Sequence, residues 1–288
     1  MIMPAHSWDA FALEYEARVE PFTSQFAHEM IQELSTVRPD HPPAQKERRR
    51  KSFLDVGCGT GAASLLALSS HNDYSDVAVA DSSESMVRRA EERIVESGWA
   101  SSLLFAEACD GEKLPQEWSD MFDCAVANFS VIFFASPISG LKEMMRCLVP
   151  STGMAAFTAW GDVEETPAFR VFPDAAKAIC PELVSTSKPR RITGSVEALT
   201  KLMDGAGFHD VRVVGPVTKV LEVASPTEYY NRFALTSPPI VEMISKMDDD
   251  TKVKFKDHVI HLAKTRGGRA DGSVGLNSSA YIAYGRKA

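Results

Sequence analysis

The sequence has no apolar run close to the ~18 residues that a membrane-spanning helix requires. Its start, Met1-Ile2-Met3-Pro4-Ala5-His6, has neither the charged stretch nor the apolar stretch of a secretory signal, so no such signal is expected. It has no basic excess. Thirty-one Lys and Arg face 39 Asp and Glu, a formal net charge of -8. Nucleic-acid binders present a basic face to phosphates, so the expectation is neither a nucleic-acid nor a membrane partner. Cysteines are few and odd in number. Cys58, Cys109, Cys124, Cys147 and Cys180 lie far apart with no C-x-x-C pair. That spacing argues against a disulfide framework and against a zinc site; reduced, mostly buried thiols in a cytoplasmic protein are expected instead, with no metal. Internal repeats and low-complexity tracts are also missing.

What is present is ordinary for a soluble globule: 288 residues, 44% hydrophobic and 24% charged. The length fits about two domains, or one α/β domain with insertions. Residues 8–35 carry apolar side chains at helical spacing, which predicts two short helices separated near Pro21. Residues 38–51 are proline-rich and then basic, a loop; its KERRRK run is read as solvated linker rather than an import signal.

A regular alternation starts at residue 51. Strands are predicted at 52–56, 77–80, 103–106, 122–127 and 153–160, with helices between them. Leu141, Met144, Met145 and Leu148 lie on one helix face, and Met86, Val87, Ala90 and Ile94 on another. Beyond Trp160 the pattern loosens. Insertions are expected at about 162–192 and 226–265, a helix at 196–203 closed by Gly205 and Gly207, a sixth strand at 211–214, and a last strand at 279–284 on the sheet edge. Strands alternating with helices predict an α/β fold, a parallel sheet with helices on both faces. Ligands bind such sheets beyond the carboxyl ends of the strands.

The first strand runs into Gly57-Cys58-Gly59-Thr60-Gly61, a turn that brings backbone close to a ligand at a helix N-terminus. Asp81 ends the second strand, 24 residues after Gly57. A carboxylate there can accept both ribose hydroxyls, in a nicotinamide enzyme as in one that uses S-adenosylmethionine. Asp55 and Asp110 separate these two. Asp55 sits two positions before the first glycine, where a pyrophosphate would be repelled and a cation held. Asp110 follows the third strand, within reach of an adenine amino group. Three carboxylates around one glycine turn suit a cationic nucleoside.

These segments resemble the class I S-adenosylmethionine-dependent methyltransferases: FLDVGCGTG (53–61), VADSSESM (79–86), ACDGEKLP (108–115), FDCAVANFS (122–130) and LVPSTGM (148–154). The N-terminal WDAFALEYEARVEPF (8–22) is similar to the lid helix that precedes the core in small-molecule members. The resemblance implies a Rossmann-like seven-stranded sheet with its last strand antiparallel, a lid and linker at 1–50, and a cofactor domain at 51–288. It implies S-adenosylmethionine as cofactor and S-adenosylhomocysteine as product. The turn Gly57, Cys58, Gly59, Thr60 and Gly61 would lie against the methionine part, with Asp55 at its amino group. Asp81 and Ser82 would meet the ribose, Met86 the adenine face, and Asp110 and Gly111 the adenine edge. Asn128, Phe129 and Ser130 would line the methionine end, and Tyr15 would close the site. Trp8, Phe11, Phe133 and Trp160 would border the acceptor. Trp160 and the proline-containing insertion after it resemble fungal secondary-metabolite enzymes that methylate small molecules on N, O or S. Two readings stand beside this one: a methyltransferase fold without that catalysis or with another reaction, and a nicotinamide-dependent oxidoreductase.

Many relatives carry a histidine pair after the fourth strand; here the stretch is Ile132-Phe133-Phe134. The turn before strand five, Pro150-Ser151-Thr152-Gly153, is one residue longer than usual. The motif of amino-methylating nucleic-acid and protein enzymes is missing after strand four, and Ser237-Pro238-Pro239-Ile240 is read as a helix start. No catalytic residue is marked. The base candidates are Asp162, Glu164, Glu165, His258 and His261, and the expectation is catalysis by proximity on an acceptor that is already nucleophilic.

Overall fold

The computed structural model describes residues 8–37, 51–69, 74–184 and 194–288. Most of the 38–51 loop, with its basic run, and the end of the 162–192 insertion lie outside these residues. Seven strands form one sheet: β1 (Lys51–Val56), β2 (Tyr74–Asp81), β3 (Leu103–Ala108), β4 (Cys124–Ala127), β5 (Met154–Trp160), β6 (His209–Val223) and β7 (Val274–Arg286). Their order is β3-β2-β1-β4-β5-β7-β6. β1 to β5 run parallel, and β7 is antiparallel to both neighbours. The chain reverses its winding direction between β1 and β4, the position at which a doubly wound sheet opens a crevice.

The inner strands β1, β2, β4 and β5 are nearly continuous apolar runs because both faces are covered, while β3, at the sheet edge, is partly exposed. Along β1, Leu54 and Val56 face one core and Phe53 the other. On the Phe53 side pack α3 (Ala62–Ser69), α4 (Glu84–Glu96) and part of α2 (Glu20–Val37). On the Leu54 side pack α5 (Pro137–Cys147), α6 (Pro167–Ile179), α7 (Val196–Ala206) and α10 (Asp249–Gly267). The remaining helices are α1 (Ala12–Arg18), α8 (Pro226–Thr236) and α9 (Pro238–Ser245). Ser237 heads α9 with prolines behind it, which is the helix-start turn expected there. None of the five cysteines forms a disulfide. No helix among the described residues is long and apolar enough to cross a membrane.

Four details differ from the sequence reading. The last strand is not at the edge: β7 lies between β5 and β6, and β6 takes the edge. β6 spans 15 residues rather than four, because most of its side chains are exposed and only its apolar core was visible as a pattern. The break between the N-terminal helices falls at Val19; Pro21 stands in the first turn of α2, where a proline needs no amide hydrogen bond. Gly205 lies inside α7, and Gly207, at φ +97°, alone closes it.

Candidate active site

The carboxyl ends of β1, β2 and β4 and the helices above them enclose a cavity of about 1000 Å³. Its floor begins at the glycine turn. Gly57 (φ +65°) and Gly59 (φ +52°) hold left-handed backbone, which lets the chain reverse between strand and helix. At Gly57 a Cβ would lie 2.2 Å from the Ser130 Cβ, so no other residue fits. Ser130 is fixed there because its hydroxyl donates to the Val56 carbonyl at 2.6 Å.

Asp81 faces this turn. Its two oxygens accept backbone N–H groups from Gly59 and Ser83, each at 3.0 Å. Ser83, not Asp81, caps α4, its hydroxyl accepting from the Met86 amide. Asp81 thereby spans the crevice with lone pairs to spare. Ser82, Met86, Asp110 and Gly111 continue the same wall. Asp110 accepts the Glu112 amide at 2.9 Å, and Glu112 in turn accepts the amides of Ala135 and Ser136.

A small polar pocket opens beside the turn, lined by Tyr15, Glu20, Asp55, Cys58 and Asn128 among others. Asp55 is buried and accepts the amide and hydroxyl of Ser64 at 3.1 and 2.9 Å. Burial pushes its carboxyl up to about 7, with Asp81 and Glu20 adding repulsion and the Ser64 hydrogen bonds opposing. Burial also raises Asp81, against its backbone hydrogen bonds. Carboxylates held this way favour a cationic guest, since a positive charge relieves the cost of ionising them. Burial pushes the Tyr15 phenol up to about 12.

The opposite wall is aromatic. Phe129, at φ +58°, stacks on Trp160 with ring centroids 3.7 Å apart. Its amide donates to the Thr158 hydroxyl, which donates to Asn128 Oδ1. Phe22 stacks on Trp160 and Phe169 meets it edge-on. Trp8 packs edge-on against Tyr15 and Phe133 above the opening.

The structure therefore brings Tyr15, Gly57, Gly59, Asp81, Ser82 and Met86 to one cavity, along with Asp110, Gly111, Asn128, Phe129 and Ser130. Trp8, Phe133 and Trp160 border it too. Asp55 and Cys58 line the small pocket alone. Three of the residues singled out line neither. Thr60 is buried, its hydroxyl donating to Glu20 and its carbonyl accepting from Arg93. Gly61 lies against α4, where a Cβ would meet Ala90 at 3.0 Å. Phe11 is half-buried away from the cavity. Sequence reasoning missed Glu20 and Arg93, because partners on separate helices leave no local pattern. It also missed Arg18 and Arg232, on α1 and α8, which border the cavity.

A family model described as "Methyltransferase domain" matches residues 53–151. The ubiquinone/menaquinone biosynthesis C-methyltransferase UbiE of Azotobacter vinelandii is 28% identical over 174 residues, 57% of this chain and 68% of that protein. Among solved structures, the YcgJ protein of Bacillus subtilis superposes with a TM-score of 0.55 at 14% identity, covering 90% of this chain and 98% of that one. A putative methyltransferase of Bacillus halodurans does so with a TM-score of 0.55 at 16% identity and the same coverage. The family match falls on the stretch that forms the glycine turn and the parallel strands around it, and residues 53–151 are thereby an S-adenosylmethionine-dependent methyltransferase domain.

Proposed function

We propose that the enzyme methylates a small, largely apolar molecule on N, O or S, as part of secondary metabolism, and that the cavity seats acceptor and cofactor side by side. The carrying observation is the continuity of that cavity from Gly57, Asp81 and Asp110 to the aromatic wall of Phe129, Trp160 and Phe169. In this reading the polar pocket of Asp55, Glu20 and Asn128 takes the cofactor's amino group. Asp81 takes the ribose, and Met86, Asp110 and Gly111 the adenine. When bound, S-adenosylmethionine supplies a methyl group on a sulfonium whose leaving group is neutral. The protein then needs to orient and to exclude water. Trp8 and Tyr15 on the N-terminal helices close the opening as a lid, and the aromatic wall keeps the acceptor dry. The secondary-metabolism assignment rests on the resemblance around Trp160 and the insertions. Similarity to a quinone C-methyltransferase supports an apolar acceptor.

No base is assigned. None of Asp162, Glu164, Glu165, His258 and His261 lines the cavity. Glu164 pairs with Arg170, and Glu165 accepts from the Tyr281 hydroxyl and the Asp162 amide. The acceptor is thus one that arrives nucleophilic, such as a thiolate, an amine or an acidic hydroxyl. The test is incubation with S-adenosylmethionine and a panel of small aromatic thiols, amines and phenols, read by product mass. Methylation of panel members supports the reading. Turnover only on protein or nucleic-acid substrates overturns it.

A further inference from the structure

The cavity wall opposite the glycine turn is built by α1, α2, α6, α8 and α9, and its only charged side chains among the described residues are Arg18 and Arg232. No carboxylate on those helices borders the cavity; Asp81, Asp110 and Glu112 lie on the sheet side. Arg232 is mostly buried, with 15% of its side chain exposed. Its Nε is buried and has no hydrogen-bond partner among the described residues. Its one ion pair among the described residues, Nη2 to Glu228, is long at 3.6 Å, and the other oxygen of Glu228 accepts the Ala224 amide. Arg18 comes from α1, which packs on α8, and its nearest carboxylate is Glu14, outside the cavity.

A guanidinium so placed is under-compensated. Burial holds its pKa below the usual arginine range, Glu228 opposes that, and Arg18 adds to it. Buried donors are nearly always satisfied, and a guanidinium on a cavity wall whose ion pair is this long has donors left for a ligand. The guanidinium fork matches a planar or tetrahedral oxyanion in two parallel hydrogen bonds. Around it the wall is apolar: Phe169, Phe172, Phe233, Ile240 and Met243.

We propose that the acceptor carries an anionic oxygen group, a carboxylate, sulfonate or phosphate, held by Arg232 with Arg18 beside it, while its apolar body lies against Phe169, Phe233 and Trp160. The proposal rests on the acceptor-cavity reading above. It makes Arg232 the residue that selects among apolar molecules of similar size.

A matched pair of fluorescent probes tests it on the full chain saturated with S-adenosylhomocysteine: 8-anilinonaphthalene-1-sulfonate and its neutral parent, N-phenyl-1-naphthylamine. The wild type should bind the sulfonate at least about tenfold more tightly, the scale of a charge-assisted hydrogen-bonded pair. Arg232→Gln should erase that preference and leave the neutral probe within about twofold. Arg232→Lys should keep part of it. Arg18→Gln should reduce it, and serves as the reading if the Arg232→Gln protein does not fold. Phe233→Trp, which fills the cavity, should weaken both probes. Neutral-probe binding in the cavity without a sulfonate preference, or a preference that survives in the Arg18→Gln/Arg232→Gln protein, overturns the proposal alone. A neutral probe that does not bind, or that ignores Phe233→Trp, overturns the acceptor-cavity reading and the proposal with it.

Discussion

Glu20 and Thr60 are 40 residues apart in the chain and joined by a hydrogen bond between their side chains. The same carboxylate takes both terminal nitrogens of Arg93, at 2.8 and 2.7 Å. The first turn of α2 is thereby fastened to the glycine turn and to α4. Glu16 adds a second tie, to Arg89 at 2.6 Å and Arg93 at 3.3 Å. Asp9 adds a third by accepting from the Ser83 and Ser85 hydroxyls. Glu20→Ala should lower stability by about 2 kcal/mol, since it removes the partner of the Thr60 hydroxyl and the carboxylate that holds both terminal nitrogens of Arg93. It should also weaken S-adenosylhomocysteine binding. Urea unfolding and calorimetric titration give the two numbers, and an unchanged affinity would detach the lid from the cofactor site.

Asp81→Ala should weaken S-adenosylmethionine binding by about 1.5–3 kcal/mol, the range for hydrogen bonds to a charged group. The variant also releases the Gly59 and Ser83 amides, so the fold is checked by circular dichroism before affinity is measured. Wild-type affinity in a folded protein would remove Asp81 from the site.

The contribution of Asp55 to the stability of the ligand-free enzyme should fall as pH rises from about 4 to about 7. Asp55 ionises near 4 in an unfolded chain and near 7 in the fold. Between these values the folded state holds the extra proton, so its contribution is complete below about 4 and gone above about 7. The melting temperature of Asp55→Asn relative to wild type should therefore climb across that window. A cationic ligand draws the proton off, so cofactor binding at pH 7 should release up to about half a proton. Titration in buffers of different ionisation enthalpy measures it, and zero release would contradict the assignment.

Gly57→Ala and Gly98→Ala form a paired test. Gly98, at φ +85°, has nothing within 4 Å of where a methyl would stand, so alanine there should cost only the about 1–2 kcal/mol of left-handed backbone. Gly57→Ala adds the collision with Ser130. It should cost clearly more and abolish cofactor binding. Equal melting temperatures for the two would refute the close approach.

No single replacement among Asp162, Glu164, Glu165, His258 and His261 should cost more than about tenfold in kcat, against the ~10²–10⁴ expected for a general base. The rate is measured on the acceptor found in the product-mass panel. A loss of ~10³ at one position, with both substrates still bound, would identify a base.

Strands β1, β2, β4 and β5 could be read from sequence because burial on both faces makes them nearly unbroken apolar runs, and β3 from its short run Leu103-Leu104-Phe105-Ala106. The glycine turn and Asp81 were legible for a related reason: a short loop between adjacent strands fixes their separation. The full length of β6 and the true place of β7 were not. The exposed positions of β6 interrupt its apolar pattern, and pairing order is set by contacts such as Thr158 opposite Ile282 that no local window contains. The Glu20–Thr60–Arg93 cluster and the pair Arg18 and Arg232 join residues far apart in the chain. Each reads singly as an ordinary charged helix position.

The N-terminal helices that roof the cavity leave the ribosome well before the elements they pack against. Phe22 and Phe26 are buried against Trp160, and Glu29 pairs with Lys219, 190 residues further on. Until those partners are synthesised, the apolar face of α2 has no cover from them. A segment made early thus completes its packing late, and a nascent chain halted before β6 exposes a greasy helix that chaperones would recognise.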